Sequence, residues 1–259
     1  MLNNFETQIA KDLYWVPIKF LGEATHSVDK LKKLVCCSPE EKRMEIRSLA
    51  DAVNLFRISN FREVSDVIYS TEDDGVVWEH HKPGYDAVLS NEGCCSSCAS
   101  WLSYMLEGRY ETLGMLSYIR SNGNGHCLNY IYHEGWYYFI DMSLKISKYI
   151  AFSADETGIL SDYLKSRPIA NVFLKARSKS AYVDYIVKYQ KVRKNVFLFS
   201  SCECSYAPPI SVTMYKERIH IRYPVTYGIE VLNADQAKQQ YTYEFVTPPL
   251  KKPCWNGEK

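Results

Sequence analysis

Between Ser38 and Phe56 the apolar residues Met44, Ile46, Leu49, Ala50, Val53 and Phe56 recur at helical spacing. Ser38-Pro39-Glu40-Glu41 opens that stretch with a capping serine, a proline at the first helical position and acids in the first turn. One helix from there to about Phe56 is predicted. A shorter one over 28–35 carries Val28, Leu31, Leu34 and Val35 on one stripe. The first ninety residues thus read as mainly helical. Ser70 to Asn91, punctuated by Asp73-Asp74-Gly75 and Lys82-Pro83-Gly84, reads as loop.

A helix over 96–107 comes next, closed by Gly108. From Leu113 the period changes to two, predicting strands over 113–119, 125–132 and 136–141. Ser121 to Gly125 is a turn cluster, and Glu134-Gly135 reads as a hairpin turn. Further helices are predicted near 154–165 and 181–189, and strands dominate from Asn195 to about Val246. The fold class is α+β. It comprises a helical N-terminal part (1–89), a helix-then-sheet core (90–167) and a strand-rich C-terminal extension (168–259). A soft boundary near Pro168 does not demand a second domain.

Composition narrows the function classes. The 259 residues are 46% hydrophobic and 24% charged, as in ordinary globular chains, and long enough for a sizeable core. A net charge of +1 makes no electrostatic case for nucleic acid or an anionic membrane. No basic-then-apolar leader and no long apolar run is visible, so neither secretion nor a membrane span is expected. Nine cysteines, four of them in the adjacent pairs Cys36-Cys37 and Cys94-Cys95, then read as reduced thiols of a cytoplasmic protein rather than disulfides.

The chemistry concentrates in Asn91-Glu-Gly-Cys-Cys-Ser-Ser-Cys-Ala-Ser-Trp-Leu102. On a helix after Gly93, Cys95, Cys98, Ala99, Leu102, Met105 and Leu106 share one stripe, and Cys94 lies off it. Cys95 therefore falls at a helix N-terminus, where unpaired N–H groups and the dipole favour a thiolate and could hold an oxyanion. A thiol nucleophile needs a base and a group to orient that base. His126 opens one strand and Asp141 ends the next. If Glu134-Gly135 is a two-residue loop, Leu128 faces Asp141 across the hairpin. His126 and Asp141 are then diagonal neighbours on one sheet face, roughly 7–8 Å apart at the backbone. An odd loop length would separate them onto opposite faces. Asn129 falls on the other face.

Gly93-Cys94-Cys95-Ser96-Ser97-Cys98-Ala99, then Gly125-His126 on a strand, then Gly135-Trp136 with Asp141 resembles the transglutaminase-like superfamily of papain-type cysteine enzymes. The resemblance covers about residues 90 to 145. It implies a papain-like core, a nucleophile helix packed on an antiparallel sheet, with Cys95 as nucleophile, His126 as general base and acid, and Asp141 fixing the imidazole tautomer. It further implies acyl transfer or hydrolysis through a thioester on a peptide or protein substrate, with no cofactor and no metal. The family often has an aromatic residue two positions after the histidine, where this chain has Leu128. Trp78, His80, His81 and Asn91 are candidates for the oxyanion-hole side chain.

Other readings stand beside this one. Cys98 is most simply a small buried residue on the helix stripe. Cys95 and Cys98 could form a redox pair, though no thioredoxin-like strand precedes them. Cys94, Cys95, Cys98 and either Cys127 or His126 could hold zinc, but adjacent ligands make a poor tetrahedral clamp. His80-His81 reads as a solvated loop pair, and Cys202-Glu203-Cys204 as ordinary thiols. A catalytically silent scaffold of the same fold is the functional alternative.

Overall fold

The computed structural model describes residues 7–10, 12–17, 21–35, 37–58, 62–63, 67–73, 76–81, 92–120, 125–142, 172–190, 192–201, 211–215, 218–222, 228–233 and 243–246. The strands are β1 (Thr7–Ala10), β2 (Leu13–Pro17), β3 (Arg62–Glu63), β4 (Val67–Asp73), β5 (Val76–His81), β6 (Glu92–Gly93), β7 (Thr112–Arg120) and β8 (Gly125–His133). They continue with β9 (Trp136–Ile140), β10 (Val172–Ala176), β11 (Val192–Ser201), β12 (Ser211–Tyr215), β13 (Arg218–Arg222), β14 (Gly228–Asn233) and β15 (Tyr243–Val246). The helices are α1 (Val28–Val35), α2 (Pro39–Glu45), α3 (Leu49–Ile58), α4 (Cys95–Leu106) and α5 (Lys179–Gln190).

Eight strands form one antiparallel sheet in the order β1-β2-β10-β9-β8-β7-β11-β14. The chain is α+β. Strands β10, β11 and β14, from the C-terminal stretch, lie in the same sheet as β7 to β9, and β1 and β2 join it from the N-terminal end. Alternation sorts the side chains of β7 and β8 onto two covered faces. Leu113 and Ile131 point to one, with Cys98, Trp101, Leu102, Met105 and Leu106 of α4 packed against them. Leu116, Tyr118, Leu128 and Tyr130 point to the other, under Tyr182, Val183, Tyr185 and Ile186 of α5. Burial of successive residues along both strands follows from this double cover. On the α5 side, Phe139 and Tyr182 stack at a centroid distance of 3.8 Å. Lys179 lies over the rings of Tyr130, Tyr137 and Phe199 and pairs with Glu230, tying the start of α5 to β14.

Helix α4 is buried nearly all round, not along one stripe, because α2 and α3 cover the side away from the sheet. The Trp101 Nε1–H donates to the Ala52 carbonyl across that contact. Toward the sheet, Asn129 Nδ2 donates to Ala99 O (3.1 Å), Ser103 Oγ (3.0 Å) and Gly114 O (3.4 Å). This buried amide sets where α4 sits along β8. Asn129→Ala is expected to cost about 1–3 kcal/mol, the penalty for stranding buried polar groups. An unchanged urea midpoint in that variant would contradict the assignment.

Three expectations are corrected. The helix predicted from Ser38 to about Phe56 is two helices, α2 and α3. The Ser38 capping box forms as read, with Ser38 N–H donating to Glu41 Oε2 (2.7 Å) and Glu41 N–H to Ser38 Oγ (3.3 Å). A second cap interrupts the helical run: Asp51 N–H donates to Ser48 Oγ (3.1 Å), Arg47 N–H to Asp51 Oδ2 (3.1 Å), and Ile46 turns extended. The stretch from Ser70 is not loop to His81. Strands β4 and β5 pair there antiparallel, with Asp73 opposite Val76. The first ninety residues therefore hold strands as well as helices. Helix α1 has the predicted bounds, and β7, β8, β9 and α5 fall within two residues of theirs. The turn over 121–124, the helix near 154–165, the boundary at Pro168 and Cys202-Glu203-Cys204 lie outside the described residues.

Candidate active site

Cys95 is the first residue of α4, with Cys94 as the extended N-cap (φ −115°, ψ −173°). Cys94 N–H donates to Ser97 Oγ at 3.3 Å, and Cys94 Sγ lies 2.9 Å from Ser96 Oγ. Glycine at 93 and serines at 96 and 97 thus build a tight, polar helix start. Cys98 is buried in the apolar cluster beneath α4 with Trp101 and Leu102. Among the described residues no three His, Cys, Asp or Glu side chains converge as metal ligands would.

The hairpin that carries His126 and Asp141 has the register the two-residue loop requires. His133 pairs with Trp136 and Asn129 with Ile140, and Glu134 (φ 49°) and Gly135 (φ 78°) make the turn. Positive φ at both central positions matches the twist of the flanking strands, and glycine takes the second at no steric cost. The next step along this register sets Asp141 across from Leu128, diagonal to His126. Asp141 Oδ2 accepts from His126 Nε2 at 2.7 Å. The imidazole is buried, with the Tyr118 ring edge-on at 5.4 Å from the cross-strand position.

Strand β9 ends opposite Asn129, so β8 has no β9 neighbour from Gly125 to Leu128. At this open margin the half-buried Cys95 thiol has both Cys127, on the α4 face, and His126, on the α5 face, as neighbours. The structure therefore brings Cys95, His126 and Asp141 together. Contacts with the Cys127 and Cys94 thiols, followed by burial, push the Cys95 thiol well above its ordinary value, against the pull of the imidazole. Burial depresses the imidazole, but the Asp141 carboxylate and then Cys95 more than reverse that, raising it to about 9.

Arg120, the last residue of β7, enters the same site. Its Nη2 lies 2.6 Å from His126 Nδ1. A guanidinium carries only donors, so this contact requires Nδ1 to be an unprotonated acceptor, with the ring proton on Nε2 facing Asp141. The upward pull of Asp141 acts on an imidazole whose Nδ1 is open to a proton. Arg120 and a proton exclude one another there.

Arg120 is the site residue that sequence reasoning missed, and Cys127 entered it only as an alternative zinc ligand. The strand register sets Arg120 on the face of His126. Tyr118 pairs with His126 and Ile119 with Gly125, so Tyr118, Arg120 and His126 share a face across a four-residue connection. The side chains of Trp78, His80, His81 and Asn91 lie outside the described residues, although the backbone at 78–81 belongs to β5 rather than a loop. No helix among the described residues is long and apolar enough to cross a membrane. Comparison with known protein families, curated proteins and solved structures finds no match.

Proposed function

We propose that this chain is a cysteine-nucleophile enzyme of transglutaminase-like type, with a papain-like core, that cleaves or transfers an amide-linked acyl group of a peptide or protein. The observation that carries the reading is one buried imidazole meeting both a carboxylate (2.7 Å) and a thiol at a helix N-terminus. His126 Nδ1 takes the Cys95 proton as Sγ attacks the acyl carbon, while Asp141 keeps accepting from Nε2–H. The backbone N–H groups at the start of α4 face developing negative charge beside the sulfur. As the tetrahedral intermediate collapses, the C–N bond breaks, Nδ1–H protonates the leaving amine, and a thioester remains on Cys95. Water then hydrolyses it, or an amine takes the acyl group.

The test is covalent labelling by a vinyl or acyl electrophile with peptide mapping. Cys95→Ala should abolish labelling at this site, and Cys98→Ala should leave it intact. Undiminished labelling of the Cys95→Ala protein would end the assignment. The Arg120 contact on Nδ1 and the upward push on the thiol favour a second reading, a catalytically silent scaffold of the same fold. A Cys95 thiol that fails to react in the presence of every acyl donor tried, with Arg120 still seated on Nδ1, belongs to that reading.

A further inference from the structure

We infer that Arg120 is the residue that recognises substrate at this site, and that the substrate class is an acyl donor bearing a carboxylate beside the bond to be broken. This rests on the cysteine-nucleophile reading above and deepens it. Arg120 lies 2.6 Å from the nitrogen the mechanism needs as base, so the base is blocked while the guanidinium stays. The nitrogen it holds is a neutral acceptor. A carboxylate offers the same donors an anionic, two-oxygen partner, which a guanidinium fork binds more strongly and in a matching plane. Binding such a group turns Arg120 away from Nδ1 and frees its lone pair.

The freed imidazole is then a strong base, because Asp141 faces its other nitrogen at 2.7 Å. The thiol proton passes to Nδ1 and leaves a thiolate at the helix N-terminus. Recognition and activation become one event, and an uncharged amide meets a site whose base is still occupied. The position of Arg120 fits this task. It is half-buried at the end of β7, within contact of the imidazole yet not sealed in the core. Tyr118, two residues earlier on the same face, holds the imidazole edge-on and keeps the ring fixed as the arginine moves. The carboxylate could be an acidic side chain or a chain terminus, both of which supply the same two oxygens.

The experiment compares alkylation of Cys95 by iodoacetate and by iodoacetamide in the wild type, Arg120→Gln and Arg120→Lys, with the modified residue mapped by mass spectrometry. In the wild type, iodoacetate should be favoured relative to a free thiol. In Arg120→Gln the iodoacetate-to-iodoacetamide rate ratio should fall by about tenfold, the size of a charge-assisted hydrogen bond. The iodoacetamide rate itself should rise as the base is released. Arg120→Lys should restore part of the preference, since charge remains without the fork. An identical ratio in wild type and Arg120→Gln overturns the inference.

A second readout separates this outcome from failure of the enzyme reading. Acetyl-diglycine, with a terminal carboxylate, and acetyl-glutamate amide, with a side-chain one, are titrated while the His126 Nδ1 nitrogen resonance is followed. Each should shift it in the wild type and not in Arg120→Gln, and the tighter of the two identifies the carboxylate's source. If neither shifts it, Arg120 is not the recognition residue even where Cys95 is reactive. If the resonance responds but Cys95 reacts with nothing, the nucleophile reading fails and the arginine's carboxylate site stands.

Discussion

If Cys95 is the proposed nucleophile, Asp141→Asn should slow its acylation by about 10³–10⁴-fold, the scale of losing the anionic partner of a catalytic imidazole. The structural reason is a contest over one ring. Burial is the largest single influence on His126 and opposes its charged form, and the Asp141 carboxylate is the chief influence in the other direction. An amide at 141 can still accept the Nε2 hydrogen bond, but it brings no charge. Burial then wins, and the imidazole falls below its ordinary range and becomes a weak base. The groups that face the ring are Asp141, Cys95, Arg120 and Tyr118, and two substitutions separate the effects of Arg120 and Asp141. Arg120→Gln should let His126 titrate higher than in the wild type, because a cation leaves Nδ1. Asp141→Asn should titrate lowest of the three. In the wild type, His126 adds stability that is full below its unfolded value and is lost as pH rises through about 9. Nitrogen chemical shifts of the imidazole across a pH series measure all three, and an Asp141→Asn ring that titrates like the wild type would refute the account.

Gly114→Ala should be the most damaging small substitution in the sheet, costing on the order of 3 kcal/mol or more through overpacking. A methyl built at Gly114 lies 2.1 Å from the Ser200 carbonyl oxygen and 2.6 Å from two carbons of the Tyr130 ring. The oxygen belongs to the neighbouring strand β11, so it cannot rotate away. The ring is held in turn, because Tyr130 Oη–H donates to that same carbonyl at 3.2 Å. Tyr130 lies directly across from Gly114 on β8 and fills the space that a side chain would take. The methyl would have to part β7 from β11 or push Tyr130 into the packed rings of Phe139 and Phe199. A substantial fraction of an ordinary domain's stability is at stake. Thermal or urea unfolding measures it, and a wild-type midpoint would refute it. Because β7 also carries Arg120 and Tyr118, the surviving folded fraction should lose the Arg120 contact with His126 as well.

Local chemistry made much of this molecule legible in advance. Ser38-Pro39-Glu40-Glu41 specifies its own helix start, since a cap needs only residues within one turn. Glu134-Gly135 specifies its hairpin, and the period-two alternation then sets which residues share a face. From those two facts alone His126 and Asp141 become neighbours, because strand register propagates a turn's geometry over the whole hairpin. The break at Ile46 to Ser48 was written in the sequence too, as Ser48-Leu49-Ala50-Asp51. It is masked there by apolar residues whose helical spacing runs straight through it.

What the sequence alone determined is therefore the set of short-range decisions: helix starts, hairpin turns, strand parity, and Cys95 at the head of a helix. Only the tertiary structure decided the rest. It set α4 on the Asn129 face of β8 while His126 lies on the other, so Cys95 reaches the imidazole only where β9 ends. It also brought Arg120 onto Nδ1 and Cys127 against the thiol. No local signal encodes such meetings, because each depends on where separately folded elements come to rest. That is decided by burial shared among all of them.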